Sequence, residues 1–411
     1  MWHPTAFLWP TAIFLSLLSF SSAGFNAVCT PLAQGWEMID DTPAINDAIA
    51  SCGNGGTIVL PQDQIYSIRS PINLKPCKFC DLQIEGQLLV SRDDWLYWAN
   101  QDSIFTIAGV KGVMIRSLTG KGLIDGNAED FFRRSINLND AWSNQPPLMH
   151  VTNGSSYVVV DNLRIKNPPR RFFRAEGNST KLTFSRLNMT VTEQYGINPW
   201  SESETFGFEM ADVTEASIER VNMDFRARSA TPNTIGVCVA FDKGTNGAIV
   251  TNVTCKGAWG GVLVMVGTID VGVLGTPRVD PPGLSVGRGV KNIQVSNLTF
   301  DGTFGTGYIN TVTKELATLG IDEPVSNVTW DGVTILSGNA ATGNRCYQRC
   351  HCETGWPVRT CPRYDSYERF QNIQFKNFVG NVGSAPGPGW GCAANQTVCD
   401  IQFSGWRNTT A

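Results

Sequence analysis

The chain carries twelve cysteines among its 411 residues, all of them beyond residue 28. An even number with close neighbours is what a disulfide framework requires. By proximity, Cys77 pairs with Cys80, Cys238 with Cys255, and Cys392 with Cys399. Zinc thiolate chemistry competes for Cys77-x-x-Cys80 and for Cys346, Cys350, Cys352 and Cys361. An oxidising, exported context favours disulfides, and no metal or cofactor is expected. Partners for Cys29, Cys52 and the group of four stay open. The context is written at the N-terminus, where Ala6 to Phe20 is almost wholly apolar and Ser21-Ser22-Ala23 supplies small residues for cleavage. That pattern is a signal peptide over 1–23, too short and too interrupted by Pro10 for a membrane span. Sequons at Asn153, Asn178, Asn188, Asn252, Asn297, Asn327, Asn395 and Asn408 suit a glycosylated extracellular protein.

These groups must be held by something, and the chain's repetition says what. Hydrophobic content of 42% with 17% charge describes a well-buried protein, and 41 glycines describe many tight turns. A net charge of −4 without a Lys/Arg run gives no support for a nucleic-acid partner. A short phrase recurs: alternating apolar residues, then Asn or a small residue, then another apolar one. Copies begin at Val113, Val158, Leu182, Ile218, Ile249, Ile293, Val328, Ile373 and Ile401. Each reads as two short strands meeting at a polar corner, with loop insertions of different length between copies. Repetition of this kind marks a β-solenoid, and the chain lacks the hairpin turns that a sandwich or propeller would show. Residues 24–411 are therefore expected to form one all-β, single-stranded, right-handed parallel β-helix, and a monomer. Thr42–Ala50 reads as a short amphipathic helix, capped by Thr42, that plugs the N-terminal end.

Three stretches give the chain a family likeness. They are Asp40–Ile45 followed by Cys52–Pro61, the strand Gly122–Asn127, and Lys166-Asn167-Pro168-Pro169. In these the chain resembles fungal members of glycoside hydrolase family 28, especially the exo-polygalacturonase and rhamnogalacturonase-like branch. The likeness runs from about residue 29 to the end. It implies a parallel β-helix with a cleft for pectic polysaccharide, and inverting hydrolysis by carboxylates about 6.5–9.5 Å apart.

Laid on this chain, the family's motifs keep their flanks and lose their working residues. The aspartate of Asn-Thr-Asp-Gly becomes Phe206. Asp-Asp-Cys becomes Gly236-Val237-Cys238, Gly-His-Gly becomes Ala258-Trp259-Gly260, and Arg-Ile-Lys becomes Tyr308-Ile309-Asn310. Phe206, Trp259, Tyr308 and Asn310 are left as candidates for sugar contact, the rings as a stacking platform. The bland alternative is that apolar residues filled a groove once catalysis was lost. Replacement acids would be Asp224, Glu202 and Glu204, although solvated loop charges are the simpler reading. Glu209 stands three residues beyond Phe206, so strand alternation turns it away from the cleft as a buried, hydrogen-bonded acid. His150 and His351 match no catalytic position and read as structural or surface residues. The expected groove holds no carboxylate pair at a catalytic separation and no Arg/Lys pair for a uronate.

Overall fold

The computed structural model describes residues 27–93, 95–128, 146–192, 205–225, 236–258, 260–265, 270–271, 277–278, 289–303, 305–310, 324–337, 370–381 and 399–409. They wind into a right-handed parallel β-helix with two parallel sheets, one of eighteen strands and one of eight. Every repeat phrase lies in the larger sheet. Its inward positions stack in register from coil to coil: Ile115, Val160, Phe184, Ile218, Val250, Val295, Trp330, Phe375 and Phe403. Toward the C-terminal end the column becomes a ring stack, with Trp330 and Phe375 centroids 4.5 Å apart and their planes nearly parallel. Such offset aromatic contacts add to the burial that drives each coil onto the next.

The polar corners follow from backbone geometry. Asn162, Asn252, Asn297 and Asn377 all adopt left-handed φ values between 52° and 56°. Asparagine tolerates that region better than other residues with a Cβ, so it recurs where each strand pair bends. A second column, Asn246, Asn292, Asn327 and Asn372, forms an amide ladder. Each Nδ2 donates to the Oδ1 of the previous coil at 2.7 to 3.0 Å.

The N-terminal helix spans Thr42–Cys52 and buries Thr42, Ile45, Ala48, Ile49 and Cys52 against the first strands. Its cap is Asp41 and not Thr42, which starts the helix itself. The Asp41 carboxylate is committed elsewhere, accepting from the Gln34 and Ser67 amides. Asp40 takes the capping role instead, accepting from the Thr42 amide at 3.0 Å while also holding Ser70. Cys29–Cys52 fastens the first strand to this helix, a pairing the sequence leaves open. Cys77–Cys80 and Cys238–Cys255 are disulfides as their spacing implies, so the first pair is not a zinc site. Cys238–Cys255 lies in the core and ties the smaller sheet to the larger one. Cys392, the group from Cys346 to Cys361, and His351 lie outside the described residues, as does the N-terminal stretch 1–23. Among the described residues no helix is long and apolar enough to cross a membrane.

Candidate functional site

The eight-stranded sheet carries the motif positions. Its strands pair in parallel order through Ile72–Asn73, Phe105–Ala108, Met149–Thr152, Arg171–Ala175, Phe206–Met210, Val237–Phe241, Gly260–Met265 and Gly305–Asn310. Phe206 pairs with Val237, Val237 with Gly260, and Gly260 with Gly305, so the motif positions stand side by side on successive coils. Gly236 precedes this row with φ at 94°, its Cα close to the Phe225 ring. Tyr308 pairs with Leu263 and Asn310 with Met265, and their side chains lie outside the description. Trp259, Glu202 and Glu204 lie outside the described residues altogether.

An outward row crosses this sheet two to three residues further along each strand. It reads Asn73, Thr106, His150, Arg174, Glu209, Ala240, Leu263. The row changes character midway. From Asn73 to Glu209 it is polar and partly open, whereas Ala240 and Leu263 are 0% and 2% exposed. Ala240 and Leu263 close with Phe206 and Val237 into a small apolar cluster separate from the main core. Phe206 and Val237, two of the positions on which the family motifs fall, thus sit in a hydrophobic plug.

Phe206 is 4% exposed, with the Arg171 guanidinium 5.3 Å from its ring centroid. Its face is therefore occupied, and the stacking-platform role expected of it is not open to it. Glu209 also departs from expectation. It is half-buried and paired, yet it does not turn away from Phe206: Arg171 contacts both, and Phe206 clusters with Ala240, the register partner of Glu209. The alternation fails at Gly207, where any Cβ would meet the Cys238 carbonyl and the Met223 sulfur. Only glycine fits there, and the strand bends so that residues three apart share a side.

Around Glu209 the polar half of the row is a continuous charged chain. Arg171 makes a two-point contact with Glu209 through Nε and Nη2. Arg174 donates to Glu176 from Nε at 3.0 Å and from Nη2 at 2.8 Å, with Glu209 Oε2 at 3.9 Å. His150 Nε2 stands 2.8 Å from the other oxygen of Glu176. Burial alone would raise both carboxyls. Arg171 and Arg174 outweigh it at Glu209 and hold that group below the usual range. At Glu176 the His150 hydrogen bond and the Arg174 charge outweigh burial and bring the carboxyl down to about 2. An ionised carboxylate only accepts, so the proton between His150 and Glu176 belongs to the imidazole.

Two carboxylates therefore stand on this face, beside the motif positions and not among them. With Arg174 bridging them, their nearest oxygens are no more than about 7 Å apart. Three arginines act there as well: Arg171 and Arg174 contact the glutamates, and the Arg170 charge also reaches Glu209. What the pair lacks is an acid: inverting hydrolysis needs one carboxyl kept protonated by a raised pKa, and both are shifted the opposite way. Asp224 does not join them. It ends the strand Val213–Asp224 on the larger sheet, paired with Thr190 and Lys256, and the next residue, Phe225, turns inward against Phe172. The arginines and the Glu176–His150 pair went unread in the sequence. Arg170-Arg171, just after the Pro168-Pro169 phrase, was the available signal.

Residues 57–271, just over half of the chain, match the sequence profile of glycosyl hydrolases family 28. The chain belongs to that family. Endo-xylogalacturonan hydrolase A of Aspergillus tubingensis is 32% identical over 392 residues, covering 94% of this chain and 86% of its own. A probable endo-xylogalacturonan hydrolase A of Aspergillus fumigatus is 38% identical over 405 residues, covering 95% and 90%. The crystal structure of the Aspergillus tubingensis enzyme superposes with a TM-score of 0.68 at 27% identity, covering 93% of this chain and 92% of its own. The family 28 exopolygalacturonase of Yersinia enterocolitica shares the fold, with a TM-score of 0.52 at 13% identity over 88% of this chain and 67% of its own. Within the family 28 fold, the charged chain sits on the N-terminal side of the plugged motif positions.

That charged chain sets an acid limit on stability. Glu176 is ionised in the folded protein down to about 2, against 4.5 for the free group. A depressed carboxyl stabilises the fold at every pH above its unfolded pKa, and the contribution disappears as pH falls from 4.5 toward 2. With 29% of the side chain exposed, screening reduces that contribution to about 2 kcal/mol. Glu176→Gln is expected to be less stable than wild type at pH 6, with the gap narrowing as pH falls toward 2.5. Urea midpoints across that range check it, and a pH-independent gap would remove Glu176 as the cause.

Proposed function

We propose that this family 28 protein is exported, binds branched pectic polysaccharide of the xylogalacturonan type on the outer face of its eight-stranded sheet, and does not hydrolyse it. The observation that carries the reading is the apolar plug of Phe206, Val237, Ala240 and Leu263 at the motif positions. General acid or base catalysis contributes about 10²- to 10⁴-fold per group, so loss of the whole set leaves little rate. The ligand class follows from the relatives, which are named for xylogalacturonan hydrolysis. Export, cleavage after residue 23, a monomeric single domain and N-glycans fit the same reading. The seven described sequon asparagines are all exposed, and none lies on a strand of the eight-stranded sheet.

A reducing-end assay with binding measured in parallel tests the reading. Purified protein is expected to release no reducing sugar from xylogalacturonan, polygalacturonate or rhamnogalacturonan, and to bind the first saturably. Turnover on any of them would sink it. A second reading has one observation behind it, the Glu176–Glu209 pair, and makes the protein an active pectin hydrolase with relocated carboxylates. Should turnover appear, loss of it in Glu209→Gln would assign it to that pair, and loss in Asp224→Asn to the loop acids with Glu202 or Glu204. Neither turnover nor binding would leave a structural or interaction protein without a glycan ligand.

A further inference from the structure

We propose that Phe79 and Tyr157, with the lysines around them, form a second carbohydrate-binding site, on the larger sheet, for a chain of uronate-bearing pyranoses. The site is separate from the eight-stranded sheet and does not depend on what that sheet binds.

The backbone argues that these rings are there for contact. One column of the larger sheet takes left-handed φ at the start of each strand. In its later coils it holds Gly247, Asn292, Asn327 and Asn372, the residue types that tolerate this region. In its early coils the same corner holds Phe79 at φ 55° and Tyr157 at φ 57°, on either side of Gly112. A bulky residue is an outlier there. Burial does not offset the cost, since Phe79 is 72% exposed and Tyr157 51%. The Cys77–Cys80 disulfide brackets Phe79, and a crosslink between residues three apart restrains little of the unfolded chain. What it fixes is the loop that presents the ring. The Phe79 ring lies against Gly112 and leaves no room for any Cβ at that position. Two strand steps separate Phe79 from Tyr157, about 9.6 Å, a span for consecutive sugar units.

The surroundings argue for an acidic chain. Lys78 and Lys111 are register partners in the row just before the column, both exposed and neither paired among the described residues. That row continues through Ser156, Thr180 and Thr214 without an acid. Lys75, at the turn leading into Lys78, is exposed as well. Beside Tyr157, the Lys181 ammonium stands 4.7 Å from the ring centroid and donates to the phenol oxygen at 2.9 Å. Glu215, one coil further along the column, acts on Lys181. Of the acids on the strands and turns beside the column, Asp81 is matched by Arg116, Asp161 by Arg186, and Glu176 by Arg174 and His150. Positive charge therefore prevails around the two rings. Exposed rings offer their faces to the C–H faces of pyranoses, and the lysines offer charge-assisted hydrogen bonds to carboxylates on the same chain. Single-stranded nucleic acid also stacks on rings, but it needs a basic groove that tracks its backbone, and here the charge ends at Lys181.

Binding to polygalacturonate, and to the same polymer with its carboxyls reduced to alcohols, is measured for wild type, Phe79→Asn, Tyr157→Asn and the double variant Lys78→Gln with Lys111→Gln. Asparagine suits the corner, so Phe79→Asn and Tyr157→Asn are expected to keep or raise the melting temperature. Each is expected to lose about tenfold in affinity for polygalacturonate. The lysine variant is expected to lose a similar factor at low salt and little at high salt. Wild type is expected to bind the reduced polymer more weakly. Sequons at Asn153 and Asn178 stand in the turns before Tyr157 and Lys181, so the protein is assayed as purified and again after N-glycan removal. Binding seen only after glycan removal overturns the site. So does absence of wild-type binding, equal affinity for both polymers, or tighter binding of single-stranded DNA. A lower melting temperature in either asparagine variant makes that ring a structural residue and overturns the site too. Wild-type affinity in the variants overturns it and leaves the reading of the eight-stranded sheet standing. Turnover in the reducing-end assay does the reverse.

Discussion

Arg171→Met is expected to destabilise the protein by about 3 kcal/mol, near the lower end for breaking a buried ion pair. The Arg171 side chain is 6% exposed and Glu209 20%, so removing the guanidinium strands a carboxylate mostly out of water. Arg174 softens the loss, because it stands 3.9 Å from Glu209 Oε2 and keeps some charge compensation. The ring of Phe206 also loses the cation that covers it. Removing both charges tells the two effects apart. Arg171→Met with Glu209→Gln should recover most of the loss, since an uncharged amide among the remaining donors costs far less than an unpaired carboxylate. Urea unfolding followed by tryptophan fluorescence gives the four free energies of the cycle. A single-variant loss below about 1 kcal/mol would place the pair in a solvent-screened setting instead.

The larger sheet was legible in the sequence because its strands obey a simple rule. Apolar residues recur at the same offset around each corner asparagine, as in Val160-Asp161-Asn162-Leu163 and Val250-Thr251-Asn252-Val253, and the structure stacks Val160, Phe184, Ile218 and Val250 directly. The eight-stranded sheet follows no such rule. In its strands, such as Arg171–Ala175 and Phe206–Met210, burial does not alternate: every residue is buried except the fourth, which is partly open. Alternation counted from Phe206 therefore misplaces Glu209, and only the steric demand at Gly207 explains why. Motif spacing did put its positions side by side: Phe206 and Val237 are neighbours on successive coils, and Cys238 reaches Cys255 as their spacing implies. What spacing could not supply was the pairing of His150 with Glu176, or of Arg171 with Glu209. Those partners are 26 and 38 residues apart and meet only because the solenoid returns to the same face once per coil.

Among its described residues the sheet thus has two halves with different physics, and the proposed loss of hydrolysis rests on that division. Electrostatic catalysis needs groups poised where charge develops, with at least one acid whose proton is available. On the N-terminal half every carboxylate is neutralised by a guanidinium and stays ionised. Among the described residues the C-terminal strands of this sheet carry no carboxylate, and Val237, Ala240 and Leu263 are buried there.

Val237→Asp is the substitution that tests the plug most severely. The family's Asp-Asp-Cys motif, laid on this chain, puts an aspartate at this position. Here Val237 is 0% exposed and its neighbours in the cluster are Phe206, Ala240 and Leu263, none of which can donate a hydrogen bond from its side chain. A carboxyl placed among them must stay charged at high cost or take up a proton, so the expected loss of stability is about 3 kcal/mol or more. Val237→Thr, of similar shape and uncharged, is expected to lose about 1 to 2 kcal/mol, which separates the charge from the change in packing. Because the cost comes from burying a charge, the Val237→Asp deficit should shrink as pH falls and the carboxyl protonates in both folded and unfolded chains. No reducing sugar should appear with either variant, since Phe206 and Gly236 still withhold the other acids. Wild-type stability for Val237→Asp at pH 7 would mean that the cluster opens to water in solution. The sealed-groove account of the proposed inactivity would then fall.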